Sequence, residues 1–162
     1  MAIDAPLSLY STTVKPEWLD YNGHMNEAYY VLVFSEATDA FMDFTGQDDA
    51  YRKRTGHTIY TLETHVAYLQ EVGEGETVRV ETQLLGVDTK RYRLFHFMYH
   101  DGSNELLATG EHMMLNVDMA GPKSAPFGEE LAARLTAIRE AHANLPVPAQ
   151  AGRSIALPGD RG

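Results

Sequence analysis

The residues best suited to do chemistry stand in one short run, Trp18-Leu19-Asp20-Tyr21-Asn22-Gly23-His24-Met25-Asn26. A carboxylate, Asp20, precedes a glycine-containing turn, and that turn feeds a segment with the marks of a helix start. Asn26 is a favourable N-cap because its side-chain oxygen accepts from an orphan backbone N–H one turn in. Glu27 adds negative charge at the positive end of the helix dipole. Unpaired N–H groups in a first helical turn attract an anion, or a carbonyl oxygen that is becoming one. A carboxylate a few residues upstream could then act on the same carbon, as nucleophile or as base for a water. Carboxylate plus oxyanion donors is the minimum equipment for hydrolysing an acyl ester or thioester. A plainer reading stays open, in which Asp20 only shapes a capping turn and His24 only makes local hydrogen bonds.

Such a turn needs elements to hold it. The run Glu27–Phe44 contains no Gly or Pro, and Gly46 follows as a natural C′ residue. At ~1.5 Å per residue this helix is about 27 Å long. Tyr29 to Phe34 is apolar on every side, which predicts a helix covered on most of its circumference. The covering material follows as strands at Thr58–Leu69, Thr77–Val87, Arg91–His100 and Glu105–Val117, with a further one around Leu7–Val14. In Thr58–Leu69 the alternation sets Tyr60, Leu62, Val66 and Tyr68 against Thr61, Glu63 and His65. Short turns at Gly73–Glu76 and Asp101–Asn104 predict an antiparallel meander. Glu129–His142 is a short amphipathic helix. One long helix wrapped by a curved antiparallel sheet of five or six strands is an α+β layout. A single layer of sheet leaves its other face for a partner, so a homodimer or a dimer of dimers is expected. Residues 1–145 form one domain. Residues 146–162, with Pro146, Pro148 and Pro158 and no periodicity, form an extended or disordered tail.

Composition narrows the chemistry further. The 162 residues carry 13 Lys and Arg against 23 Asp and Glu, a formal net charge of -10, which excludes nucleic acid as a partner because phosphate backbones reward clustered cations. The chain has no cysteine; thiol nucleophiles and thiolate metal sites are therefore excluded, and a reducing, cytoplasmic setting is expected. The first ten residues lack the basic and apolar regions of a signal peptide. No apolar stretch approaches the ~20 residues of a membrane span, so no membrane association is expected. His96 and His100 share a strand face but stand about 13 Å apart at ~3.3 Å per residue, too far for one metal. No metal and no cofactor are called for.

The string Asp20-x-x-Gly23-His24-Met25-Asn26, with Tyr30 following, resembles the motif of the 4-hydroxybenzoyl-CoA thioesterase family of hotdog-fold acyl-CoA thioesterases. The likeness continues in Glu63–Leu69, Gly75–Thr82, Leu106–Glu111 and Lys123–Phe127, and covers roughly Leu9 to Ala141. It implies the hotdog fold, an acyl-CoA substrate and active sites at a subunit interface. Carried over residue by residue, it puts the catalytic carboxylate on Asp20, the turn on Gly23 and the carbonyl-polarising backbone amide near Glu27. Asn26 and Tyr30 match common family positions. Glu27 departs from the Asn that often stands there, which leaves the amide role intact but blurs the side-chain role.

A narrower likeness lies in W-L-D-Y-N-G-H-M-N-E, F-S-E-A-T-D-A-F and Y-T-L-E-T-H, which resemble the betainyl-CoA thioesterases associated with carnitine breakdown. That likeness implies hydrolysis of betainyl-CoA to glycine betaine and CoA. A trimethylammonium group donates no hydrogen bond and is received by aromatic faces. Trp18, Tyr21, Tyr29, Tyr30 and Tyr60 are the aromatic candidates, with Glu63 or Glu27 for charge complementarity and His24 and His65 as further substrate contacts. Each has an ordinary alternative: core or interface packing for the aromatics, a solvent-facing or partner-facing pair for Glu63 and His65. Lys90, Arg91 and Arg93 could meet the CoA phosphates or belong to a solvated loop. Hotdog hydratases place Pro three and His five residues after Asp; here Gly23 stands in place of the Pro and His24 at plus four, which rejects that chemistry. Two other readings stay open: a thioesterase for another short-chain or aromatic acyl-CoA, and a non-catalytic acyl-CoA-binding module.

Overall fold

The computed structural model describes residues 2–160; Met1, Arg161 and Gly162, at the ends of the expected domain and tail, lie outside the described residues. In chain order the elements are β1 (Leu7–Thr13), a 3-10 turn at Pro16–Trp18, α1 (Glu27–Thr45), α2 (Asp49–Thr55), β2 (His57–Tyr68), β3 (Thr77–Val87), β4 (Arg91–His100), β5 (Leu106–Asp118), β6 (Lys123–Ser124) and α3 (Glu129–Ala141). The expected α+β layout is present, with α1 lying on the inner face of one antiparallel sheet.

The sheet order is β1-β3-β4-β5-β2, with the two-residue β6 on the end of β5. Only β3, β4 and β5 form the expected meander. β2 does not pair with β3; it lies at the opposite edge, against β5. The reason is the connection. At ~1.5 Å per residue the 19-residue α1 is about 28 Å long, enough to carry the chain across strands spaced about 4.8 Å apart.

α1 starts where the sequence places it, with Asn26 Oδ1 accepting from Ala28 N at 3.0 Å. It ends at Gly46 in the left-handed conformation. Its buried positions, Tyr30, Val33, Phe34, Ala37, Thr38, Phe41, Met42 and Thr45, repeat at three and four residues and make one stripe. Val31, Leu32 and Phe44 are exposed, so within one chain the helix is covered on a single face rather than on most of its circumference. Burying Val33, Phe34 and Phe41 completely contributes about 1.5–3 kcal/mol each.

The expected alternation of β2 breaks at a bulge between Thr61 and Glu63. An extra residue in one strand flips the faces beyond it. Thr61 pairs with the buried Met114, Thr64 with the buried His112 and Val66 with Gly110, so these face the helix. Tyr60, Glu63 and His65 face outward, and Tyr60 and Val66 do not share a face as the alternation predicts. α2 was not expected. Its signals are nonetheless present: Asp48 accepts from Tyr51 N, basic residues fill the last turn and Gly56 terminates it. It buries no residue, so no apolar period announces it.

The outer face of the sheet is partly covered by the chain itself. Gln83 donates to Pro146 O at 3.2 Å, and Gly152 N donates to both Glu111 carboxylate oxygens. Among the described residues no helix is long and apolar enough to cross a membrane.

Candidate active site

The Asp20 turn is built by its own backbone and then clamped to a distant segment. Asp20 N donates to His24 O at 2.8 Å and Gly23 N donates to Asp20 O at 3.1 Å. Gly23 has φ +78°, the left-handed region that glycine enters without a Cβ penalty. Asn26 N donates to Trp18 O and Met25 N to Val72 O, both at 2.8 Å. The turn is therefore stitched to the segment leaving β2. Beneath it Trp18 is 5% exposed and stacks on Tyr29 with ring centroids 5.5 Å apart.

Asp20 is half-buried. Its Oδ1 accepts from Asn22 N at 2.8 Å and lies 3.4 Å from His24 N. Its Oδ2 has no partner among the described residues. The Glu27 N–H, first of α1, also donates to nothing, since the Asn26 cap takes Ala28 N and Tyr29 N donates to Asn26 O. Asp20 and Glu27 border one open cleft of about 480 Å³, lined also by His24, Tyr30, Tyr68 and Glu71. Tyr30 donates to Gln70 O and Tyr68 to Glu27 O, and their rings meet edge to face at 5.2 Å. Burial, with the Glu71 carboxylate the next contributor, pushes the Tyr30 hydroxyl up to about 12, so it stays protonated at neutral pH. His24 Nδ1 lies 3.1 Å from Glu71 Oε2. Among the described residues no Lys or Arg lines this cleft.

The structure brings Asp20, His24, Glu27 and Tyr30 to the cleft, with Asn26 capping and Gly23 turning beside it. It does not bring the other candidates there. Trp18 lies under the turn and Tyr21 points away, 98% exposed. Tyr60 reaches Met119 Sδ on the outer side of β2. Glu63, His65 and Arg93 border a second cavity on the outer face, together with Glu111 and Arg153. Lys90 donates to Ser124 Oγ, and Arg91 is ion-paired with Asp88 at 2.7 Å. Tyr68 and Glu71 escaped the sequence reading. No local signal marks them, because the pairing of His24 with Gly73 across the two loops delivers them.

Residues 14–135 match the family model described as the thioesterase-like superfamily. The chain belongs to the thioesterase-like superfamily. Among its relatives, it is 52% identical over 152 residues, 94% of this chain and 96% of the other, to the betainyl-CoA thioesterase of Pseudomonas aeruginosa. It is also 41% identical over 93% of its length to the L-carnitine dehydrogenase/betainyl-CoA thioesterase of Rhizobium meliloti, of which it spans 30%. Its fold overlays a Staphylococcus aureus protein solved in complex with CoA at a TM-score of 0.88, with 27% identity and 98% and 100% of the two chains covered. For a thioesterase-superfamily chain, the curled sheet around one long helix is the hotdog fold. Its outer-face coverage by residues 146–152 also means that an open sheet face is weaker support for a partner than the free edge of β2.

Proposed function

We propose that this chain is a cytoplasmic thioesterase that hydrolyses betainyl-CoA to glycine betaine and CoA. The observation that carries the hydrolytic reading is that Asp20, with one carboxylate oxygen unpartnered, and Glu27, the first residue of α1, line the same cleft. The thioester carbonyl oxygen accepts from the Glu27 N–H, where the helix terminus favours developing negative charge. Asp20 Oδ2 either attacks the carbonyl carbon, giving a mixed anhydride that water then cleaves to restore the carboxylate, or takes a proton from a water that attacks in its place. In both routes the C–S bond breaks, sulfur leaves with its electron pair and is protonated, and one water is consumed. Asp20 Oδ1 stays with the turn, which fixes the orientation of the reactive oxygen. The 52% identity to a betainyl-CoA thioesterase over 94% of this chain supports the acyl group.

The acting form in this reading is a homodimer. β2 offers an unpaired edge of 12 residues, with Tyr60, Leu62, Val31 and Leu32 exposed nearby; an open apolar edge favours pairing with a second strand. Tyr60, Glu63 and His65 would serve substrate only in a site that the second subunit completes.

The test is release of free thiol from a panel of betainyl-, acetyl- and benzoyl-CoA, run beside a sedimentation measurement of mass. Betainyl-CoA is expected to have the highest kcat/KM. Equal turnover of a neutral acyl group refutes the substrate, and no turnover on the whole panel leaves a binding module.

A further inference from the structure

A quaternary ammonium cannot be read by hydrogen bonds, because it carries no N–H and no free lone pair. Its recognition rests on carboxylate fields and aromatic faces. In a betainyl thioester the nitrogen is two bonds from the carbonyl carbon, about 2.5 Å away. Within one chain its receptor must therefore line the same cleft as Asp20, which removes that chain's Trp18, Tyr21, Tyr29 and Tyr60 from the aromatic candidates. What remains is an aromatic pair, Tyr30 and Tyr68, and two further carboxylates, Glu27 and Glu71.

The two rings are not equivalent. Tyr30 is 4% exposed, whereas Tyr68 is 46% exposed and its ring is held in place through its hydroxyl on Glu27 O. Tyr68 is the ring that offers a face to a ligand. Of the two carboxylates, Glu71 is held at the cleft by His24 Nδ1 at 3.1 Å, while Glu27 contributes through its backbone. With no Lys or Arg in the lining, no fixed cation opposes a positively charged guest.

We propose that Glu71 and Tyr68 are the specificity-determining residues for a cationic acyl head, the carboxylate supplying the field and the ring the face that receive the quaternary ammonium. The inference rests on the betainyl-CoA reading above and names the residues that enact it. It also excludes anionic acyl groups such as dicarboxylic monothioesters, which would meet Asp20, Glu27 and Glu71 together.

The deciding comparison uses betainyl-CoA and its neutral isostere 3,3-dimethylbutanoyl-CoA, which has the same shape with carbon in place of nitrogen. The measured quantity is the ratio of their kcat/KM values. In Glu71→Gln that ratio is expected to fall about tenfold, equivalent to ~1.4 kcal/mol. In Tyr68→Leu it falls roughly fivefold, while Tyr68→Phe, which keeps the ring and its packing on Tyr30 but loses the hydroxyl bond to Glu27 O, lowers it less. A wild-type enzyme that prefers betainyl-CoA and keeps that preference in Glu71→Gln and Tyr68→Leu overturns the assignment alone. A wild-type enzyme that turns over both substrates equally overturns the betainyl reading and the assignment with it. Should Tyr68→Leu fail to fold, product inhibition of Glu71→Gln by glycine betaine against 3,3-dimethylbutanoate supplies the same comparison.

Discussion

Replacing Asp20 by Asn tests the hydrolytic reading most directly, because the structure separates the two oxygens of the carboxylate. The carboxamide oxygen can still accept from Asn22 N and His24 N, as Oδ1 does. The turn is therefore expected to survive, and Tm to move by no more than about 2 °C. What the change removes is the negative charge and the lone pairs of Oδ2, the atom with no structural partner. A positioned base or nucleophile contributes about 10²–10⁴ in rate, or roughly 2.7–5.4 kcal/mol at 1.36 kcal/mol per decade. The amide of Glu27 is untouched and sets a residual rate above the uncatalysed reaction. The expected outcome is a kcat at least a hundredfold lower with fold and mass unchanged. The assay is clean in this chain: it has no cysteine, so a thiol reagent reports released CoA alone. Saturating substrate should be used, since loss of the Asp20 charge also weakens attraction to a cationic acyl group. A variant within fivefold of the wild-type kcat refutes the role of Asp20. In ¹⁸O-labelled water, label in the Asp20 carboxylate after turnover identifies direct attack with water entering at the aspartyl carbonyl of the anhydride.

Packing, burial and charge elsewhere in the chain set three further outcomes. In Gly110→Ala the new Cβ would sit 2.8 Å from His112 Nε2 and 2.9 Å from a Phe34 ring carbon; overpacking of this kind costs about 1–3 kcal/mol, and an unchanged melting curve would contradict it. Burial lowers His112 to about 4 and lowers His96, fully buried beside it, well below the ordinary value. Both are neutral when folded but protonate near pH 6.5 when unfolded, so stability present above pH 6.5 is lost as pH falls toward 4, by about 3 kcal/mol from His112 alone. A Tm that stays flat between pH 7 and pH 5 would refute that. If Lys90 and Arg93 meet CoA phosphates, the double change Lys90→Ala, Arg93→Ala raises KM for the CoA thioester and leaves the N-acetylcysteamine thioester unaffected; equal effects on both remove these residues from CoA binding.

Much of the site's frame was legible because its causes are local. The Asn26 cap, the Gly46 stop and the turn at Gly23 act over a few residues, and each is a property of side-chain reach or of glycine's missing Cβ. The long helix followed from its cap and from a run without Gly or Pro, although its all-round apolar stretch overstated its cover within one chain, and the thioesterase likeness followed from a run of adjacent residues. β2 escaped this logic. Its bulge between Thr61 and Glu63 reverses the faces, and its place beside β5 rather than β3 depends on the reach of α1.

Type and spacing within the chain thus determined that a carboxylate would stand before a helix terminus, an arrangement suited to acyl transfer to water. Which side chains face that carboxylate was decided by folding. Tyr68 arrives on a strand more than forty residues downstream, and Glu71 on the loop whose Val72 carbonyl holds Met25 N. Trp18, close to Asp20 in sequence, is turned beneath it instead. Backbone hydrogen bonds between distant segments select neighbours in space, and no interval of sequence encodes them.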